Sequence, residues 1–118
     1  MLTTLEVGVD QLKHAVESQH GGTAVLLSVE PVTEVVDGKT IWEGAVHVFD
    51  LEDHPEATRA YAWHSRMVGS DRQRLHALLH LGVIASPLDA VRAVIVAERL
   101  ESAANRKALR RKRYVKQA

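Results

Sequence analysis

The segment from Gly38 to Trp63, GKTIWEGAVHVFDLEDHPEATRAYAW, constrains the fold more than any other part of the chain. Apolar residues recur in it with the two-residue period of β-strands, and the polar connection LEDHPE at 51–56 divides it in two. The dipeptide Asp37-Gly38 is typical of tight type I′ hairpins. We therefore predict a central β-hairpin here, preceded by a further strand.

Three strands follow from this pattern. The first is predicted over residues 23–36, where Pro31 favours an edge position or a bend, because proline cannot donate a hydrogen bond to a ladder. The second is predicted over about 39–50, with Gly44 as the site of a β-bulge. The third is predicted over about 57–68. Apolar residues lie on both sides of the second and third strands, which indicates that these strands are central.

Residues 72–81, RQRLHALLHL, fit two structures. As a helix, the segment has a capping box from Ser70 and Gln73, a leucine stripe and a stop at Gly82. As a strand, it follows the tight turn at 69–71 and alternates leucine with histidine. We predict the strand.

A helix is predicted at each end of the domain. The first begins either at a capping box of Thr3 and Glu6 or at Asp10. The second begins with Ser86 as its N-cap and Pro87 in its first turn. The helical period of the first is carried by Leu5, Val9, Leu12 and Val16.

The predicted fold is therefore α+β, in the order α-β-β-β-β-α. We expect a four-stranded antiparallel meander with the N- and C-terminal helices packed on one face. Residues 1–105 form the single domain, and residues 106–118 a basic C-terminal extension or tail. Because that arrangement leaves one apolar sheet face bare, it also predicts self-association as a homodimer.

Charge is distributed unevenly although the 118 residues sum to a net charge of zero. Residues 1–56 carry eleven acids and two bases, whereas residues 57–118 carry four acids and thirteen bases. Such halves attract each other within a fold or between subunits, or are simply solvated faces. The most basic segment predicts nucleic acid as an alternative partner, through Arg106, Lys107, Arg110, Arg111, Lys112, Arg113 and Lys116.

The sequence also excludes several classes of protein. It contains no cysteine, so disulfides and thiolate chemistry are ruled out. The lack of disulfides fits the reducing cytosol. Its N-terminus has no secretory pattern, and its apolar runs are far shorter than the ~20 residues that a bilayer requires. We expect a cytoplasmic protein with no membrane partner.

Histidines and carboxylates supply weak candidates for chemistry. His76 and His80 share one side of a helix or a strand, but no third zinc ligand follows at a standard spacing. Asp53 and His54 bring a carboxylate and an imidazole into one loop, as acid–base catalysis or ligand binding requires. No glycine-rich phosphate loop or nucleophile elbow accompanies them, so no cofactor is predicted and an enzyme is the minority interpretation.

Aromatic residues are the remaining candidates. Trp42, Phe49, Tyr61 and Trp63 either line a ligand pocket or interface, or form the core of the sheet. The core is the commoner role for aromatic side chains on central strands.

Two segments together carry a resemblance. The patterns GKTxWEGxVxVFDLxxHPxAxRAYAW, at 38–63, and SPxxAVRAxI, at 86–95, resemble a family of small uncharacterised bacterial proteins. The resemblance supports a strand at 72–81 and implies no activity, cofactor or functional residue. The leading hypothesis is thus a small non-enzymatic binding module, ahead of nucleic-acid binding and of a metal- or histidine-dependent enzyme.

Overall fold

The computed structural model describes residues 4–66 and 73–116. They form two helices and four strands in the predicted order. The elements are α1 (Thr4–His20), β1 (Thr23–Val36), β2 (Lys39–Glu52), β3 (Arg59–Arg66), β4 (Gln73–Leu79) and α2 (Pro87–Lys116). Part of the predicted third strand, and the turn expected at 69–71, lie outside the described residues.

The four strands form one antiparallel sheet in the order β1-β2-β3-β4, which confirms the meander. Between β1 and β2, Asp37 and Gly38 both have positive φ values, 51° and 77°, as a type I′ turn requires. The strand predicted for residues 72–81 is confirmed as β4, Gln73–Leu79, and the helical alternative is wrong. Pro31 lies on β1, which is an edge strand as predicted.

The start of each helix follows from its local chemistry. α1 begins at Thr4, so the alternative start at Asp10 is wrong, and the proposed cap Thr3 lies outside the described residues. α2 begins at Pro87, as predicted, and the Ser86 hydroxyl accepts a hydrogen bond from the backbone N–H of Asp89 at 3.1 Å.

The two helices pack on opposite faces of the sheet, so the prediction that they share one face is wrong. On the α1 face, Leu12 and Val16 of α1 pack with Phe49. On the α2 face, Val91 of α2 packs with Trp63. One helix covers the buried apolar residues on each side of β2 and β3, whereas Ile41 and Ala45, towards the hairpin end of β2, are exposed. The dimer prediction assumed a bare face, but neither face of the sheet is entirely bare within the described residues.

β1 and β2 pair along their whole length, from Thr23 and Glu52 to the turn at Asp37-Gly38. The register is irregular between Leu26 and Ser28, and again between Glu34 and Val35. The bulge predicted at Gly44 is therefore misplaced, because Gly44 pairs in register with Val32.

Ion pairs tie α2 to both margins of the sheet. Arg92 forms a two-pronged interaction with the buried carboxylate of Glu34 on β1, and its second contact measures 3.3 Å. The Arg92 guanidinium lowers the pKa of Glu34. Arg74 of β4 meets Glu98 of α2 at 3.4 Å, between two exposed side chains. These contacts fix the direction in which α2 crosses the sheet.

α2 continues beyond the sheet. Its residues 96–104 are all exposed, and the helix runs on to Lys116. The radius of gyration, 17.2 Å, exceeds the ~13.5 Å expected for a compact domain of this length. Neither described helix is both long enough and apolar enough to cross a membrane.

Candidate functional site

The four aromatic candidates are divided between the two faces of the sheet. Phe49 is buried on the α1 face, whereas Tyr61 and Trp63 are buried on the α2 face. Trp42 is half-buried beside Trp63, and their indole rings meet edge-on with centroids 6.3 Å apart. The structure therefore does not bring the four together in one pocket. Phe49 and Trp63 are core residues, and Tyr61 lines the cleft described below.

His54 organises the connection between β2 and β3. Its Nδ1 accepts hydrogen bonds from the backbone N–H groups of Glu56 (3.1 Å) and Ala57 (3.0 Å). Its Nε2 donates to the carbonyl of His20 at the end of α1, at 3.1 Å. Both ring nitrogens are thus engaged with backbone, while the neighbouring Asp53 is exposed with a positive φ of 59°. This arrangement holds the loop against α1 and leaves the imidazole no free nitrogen for acid–base work.

His76 and His80 lie at the same margin of the sheet but take different partners. His76 Nε2 is 2.8 Å from the Ser65 hydroxyl, and its ring lies over Trp63 with centroids 5.2 Å apart. His80 Nδ1 is 2.6 Å from the Tyr61 hydroxyl. In residues 4–66 and 73–116, no group of three or more histidines and carboxylates is arranged to hold a metal ion.

A cleft of about 370 Å³ opens on the α2 face, between β1, β3 and the start of α2. Its walls include Val32, Val48 and Leu88, and Tyr61 contributes its ring. Burial raises the pKa of Tyr61, and this effect outweighs the opposing influence of Arg59, so the hydroxyl stays protonated at neutral pH.

Sequence reasoning missed this cleft, although it had singled out the segments that meet there. Arg59 and Tyr61 belong to the RAYAW end of the first segment, and Ser86 and Pro87 open the second. Glu30, which also lines the cleft, had no distinguishing pattern. The convergence of two separate motifs on one cavity becomes visible only when the strand order is known.

The burial of His47 is a second feature that the sequence did not reveal. It is 8% exposed on the α1 face, and its Nδ1 is buried without a hydrogen-bond partner. Its ring stacks on Phe49 with centroids 6.4 Å apart. Burial lowers the pKa of His47, and the nearby His64 lowers it further. A buried imidazole of this kind resists protonation.

Among the described elements, β1 carries the most exposed large apolar side chains. The described residues include twelve exposed large apolar side chains, and six of these belong to β1. Because β1 ends the sheet, its outward backbone groups have no strand partner within the sheet. The six side chains are Val25, Leu26, Leu27, Val29, Val35 and Val36.

The opposite edge, β4, is protected. The imidazole Nε2 of His20 donates a hydrogen bond to the backbone carbonyl of Ala77 on β4 at 2.7 Å. β4 is also half the length of β1, with seven residues against fourteen. β4 is thus the shorter edge strand, and a side chain of α1 occupies one of its backbone carbonyls. β1 is the longer edge strand.

The basic candidates lie at the end of the second helix. Residues 106–116 form about three turns at the C-terminal end of α2, beyond the exposed residues 96–104. They are therefore remote in sequence and in packing from the residues that line the cleft. The described part of this extension includes the exposed side chain of Lys107.

Comparison with protein-family models, curated proteins and solved structures gave no match. The function is therefore inferred from the geometry of the described residues.

Proposed function

We propose that the protein is a small cytoplasmic, non-enzymatic binding module that self-associates through the outer edge of β1. The observation that supports this is the concentration of exposed apolar side chains on a strand of fourteen residues whose outer side has no partner in the sheet. Long, exposed apolar edge strands pair readily with another chain, since pairing satisfies backbone groups and removes apolar surface from water.

A second copy of the chain is the partner that fits this edge. Two β1 strands that pair antiparallel about a two-fold axis use each edge once and join two four-stranded sheets into one of eight strands. The His20 contact with β4 disfavours pairing at the other edge, so the assembly closes as a dimer. Pro31, which cannot donate a ladder hydrogen bond, and the irregularity after Leu26 limit the number of registers available to the pair.

Oligomeric state tests this proposal directly. Sedimentation equilibrium of the full chain is expected to give a dimer at micromolar concentration. A lysine at Val25 or Val29 places a charge in the proposed interface, so Val25→Lys and Val29→Lys should each raise the dimer dissociation constant by about tenfold or more.

Val83→Lys is the matched control, because Val83 is 88% exposed in the connection that precedes α2, away from β1. This variant should remain a dimer with wild-type affinity. A wild-type chain that is monomeric at high micromolar concentration would overturn the proposal. So would dissociation of the Val83 variant to the same extent as the β1 variants.

Nucleic-acid binding through the end of α2 is a second candidate. The observation in its favour is that the basic segment continues α2 beyond residues 96–104, which are all exposed. A helix with seven bases and no acid over residues 106–116 can neutralise several backbone phosphates.

Fluorescence anisotropy with a labelled DNA duplex tests this candidate. The full chain should bind at low salt and lose affinity steeply as salt rises, because binding releases condensed counterions. Deletion of residues 106–118 should abolish binding. The candidate fails if the full chain does not bind at low salt, or if the truncated chain binds equally well.

A further inference from the structure

The cleft on the α2 face has opposite charges at its two ends. Glu30 enters from β1 and Arg59 from β3, and both lie on the lining. Glu30 pairs with Val46 of β2, and Arg59 pairs with Asp50 of β2. Val46 and Asp50 are four residues apart on that strand. Strand geometry therefore separates the Glu30 and Arg59 Cα atoms by about 16 Å.

Neither charge is neutralised by a close ion pair in the described residues. The ion pairs found there join Arg74 to Glu98 and Arg92 to Glu34. Asp50, the cross-strand partner of Arg59, is exposed, and its carboxylate oxygens do not come within 4 Å of the Arg59 guanidinium nitrogens. The Asp89 carboxylate, at the helix start, accepts a hydrogen bond from the backbone N–H of Ala85 at 3.2 Å.

Apolar side chains line part of the space between the two charges. Val32, Val48 and Leu88 line it, together with Tyr61, whose hydroxyl is hydrogen-bonded to His80. A ligand that carried one charge alone would leave the other charged side chain of the lining without an ionic partner: Glu30 would face water, and Arg59 would keep water and the nearby Tyr61 hydroxyl. A ligand with both charges and an apolar spacer complements the whole cleft.

We propose that this cleft binds a small zwitterion, whose cationic end pairs with Glu30 and whose anionic end pairs with Arg59 across an apolar spacer. This site lies on the α2 face of the sheet and shares Leu27 with the exposed apolar set of β1 that the self-association proposal uses. It assigns a ligand class to the cavity where the segments 59–63 and 86–95 meet.

The test is a nuclear magnetic resonance titration of the full chain with 6-aminohexanoate. Backbone amide shifts should saturate at Arg59, Ser86 and Leu88, which border the cleft. Hexanoate and hexylamine carry one charge each on a similar spacer, and each should bind about tenfold more weakly than the zwitterion.

Two variants locate the site. Arg59→Gln and Glu30→Gln should each weaken binding of 6-aminohexanoate by about tenfold, and both side chains are exposed. The matched controls are Arg99→Gln and Glu101→Gln, on the exposed part of α2, and they should bind like the wild type.

Because Glu30 is a β1 residue, the oligomeric state of its variant is measured in parallel, which separates an effect on the cleft from an effect on self-association. The proposal is overturned if 6-aminohexanoate produces no saturable shifts at millimolar concentration. It is equally overturned if hexanoate or hexylamine binds as tightly as the zwitterion, or if the two control variants lose as much affinity as the cleft variants.

Discussion

At the scale of single residues, the contact between Trp42 and Gly44 decides how the α2 face is packed. A Cβ atom built at Gly44 would lie 2.8 Å from Cη2 of Trp42 and 2.9 Å from Cζ2, closer than real Cβ contacts allow. The indole lies against the glycine backbone and meets Trp63 edge-on. Gly44 pairs in register with Val32, so a bulge does not explain the glycine. Glycine is needed here because a side chain would collide with the Trp42 ring.

Gly44→Ala is therefore expected to destabilise the protein by about 1–2 kcal/mol, because the new methyl group displaces the Trp42 ring from Trp63. Strand propensity alone predicts the opposite sign, since alanine loses less backbone entropy than glycine. Urea denaturation monitored by tryptophan fluorescence and by circular dichroism measures the change.

The double variant Trp42→Leu with Gly44→Ala provides the control. Without the indole, the alanine methyl group has room, so the cost of Gly44→Ala should largely disappear in that background. An equal cost with and without Trp42 would show that the contact is not the cause. A glycine two residues from a tryptophan on one strand face is a pattern readable in the sequence, but sequence reasoning assigned Gly44 to a bulge instead.

At the scale of elements, sequence chemistry predicted most of the structure. β1 has the predicted bounds because β-branched residues fill the segment and two turn signals, Gly21-Gly22 and Asp37-Gly38, enclose it. α2 starts where the Ser86 cap and Pro87 indicated. These are local effects, in which neighbouring residues alone determine the backbone conformation.

β4 shows the limit of local reasoning. Its composition, rich in Leu, Ala, Arg and Gln, favours a helix. Pairing with β3 from Ala60 and Leu79 to Arg66 and Gln73 overrides that propensity, because seven residues of ladder satisfy backbone groups that a short helix would leave at its ends. The composition of the segment was therefore a misleading guide to its structure.

At the scale of the whole molecule, the sequence could not say what covers each face of the sheet. Alternation shows that Phe49 and Val48 point to opposite faces, and that both positions are apolar. A second helix and a second copy of the chain satisfy that pattern equally well. The structure assigns one helix to each face, so the exposed apolar surface is at the β1 edge instead, and the charged cleft beside it depends on the same long-range arrangement.

Global stability should also depend on pH through three histidines on the two faces. Burial lowers the pKa of His47, His64 and His76, and for His47 the proximity of His64 adds to the effect. In the unfolded chain these imidazoles titrate near pH 6.5. The folded state binds protons more weakly than the unfolded state, so protonation favours unfolding.

The free energy of unfolding is therefore expected to be highest above about pH 6.5 and to fall as the pH drops through the lowered pKa values of the folded state. Urea denaturation across this range measures the slope. His47→Leu should flatten the slope and preserve stability at neutral pH, because it removes a buried Nδ1 that has no partner. His14→Leu, at an exposed position of α1, should keep the wild-type slope. A His47 variant with an unchanged slope would show that the proton-linked stability resides elsewhere.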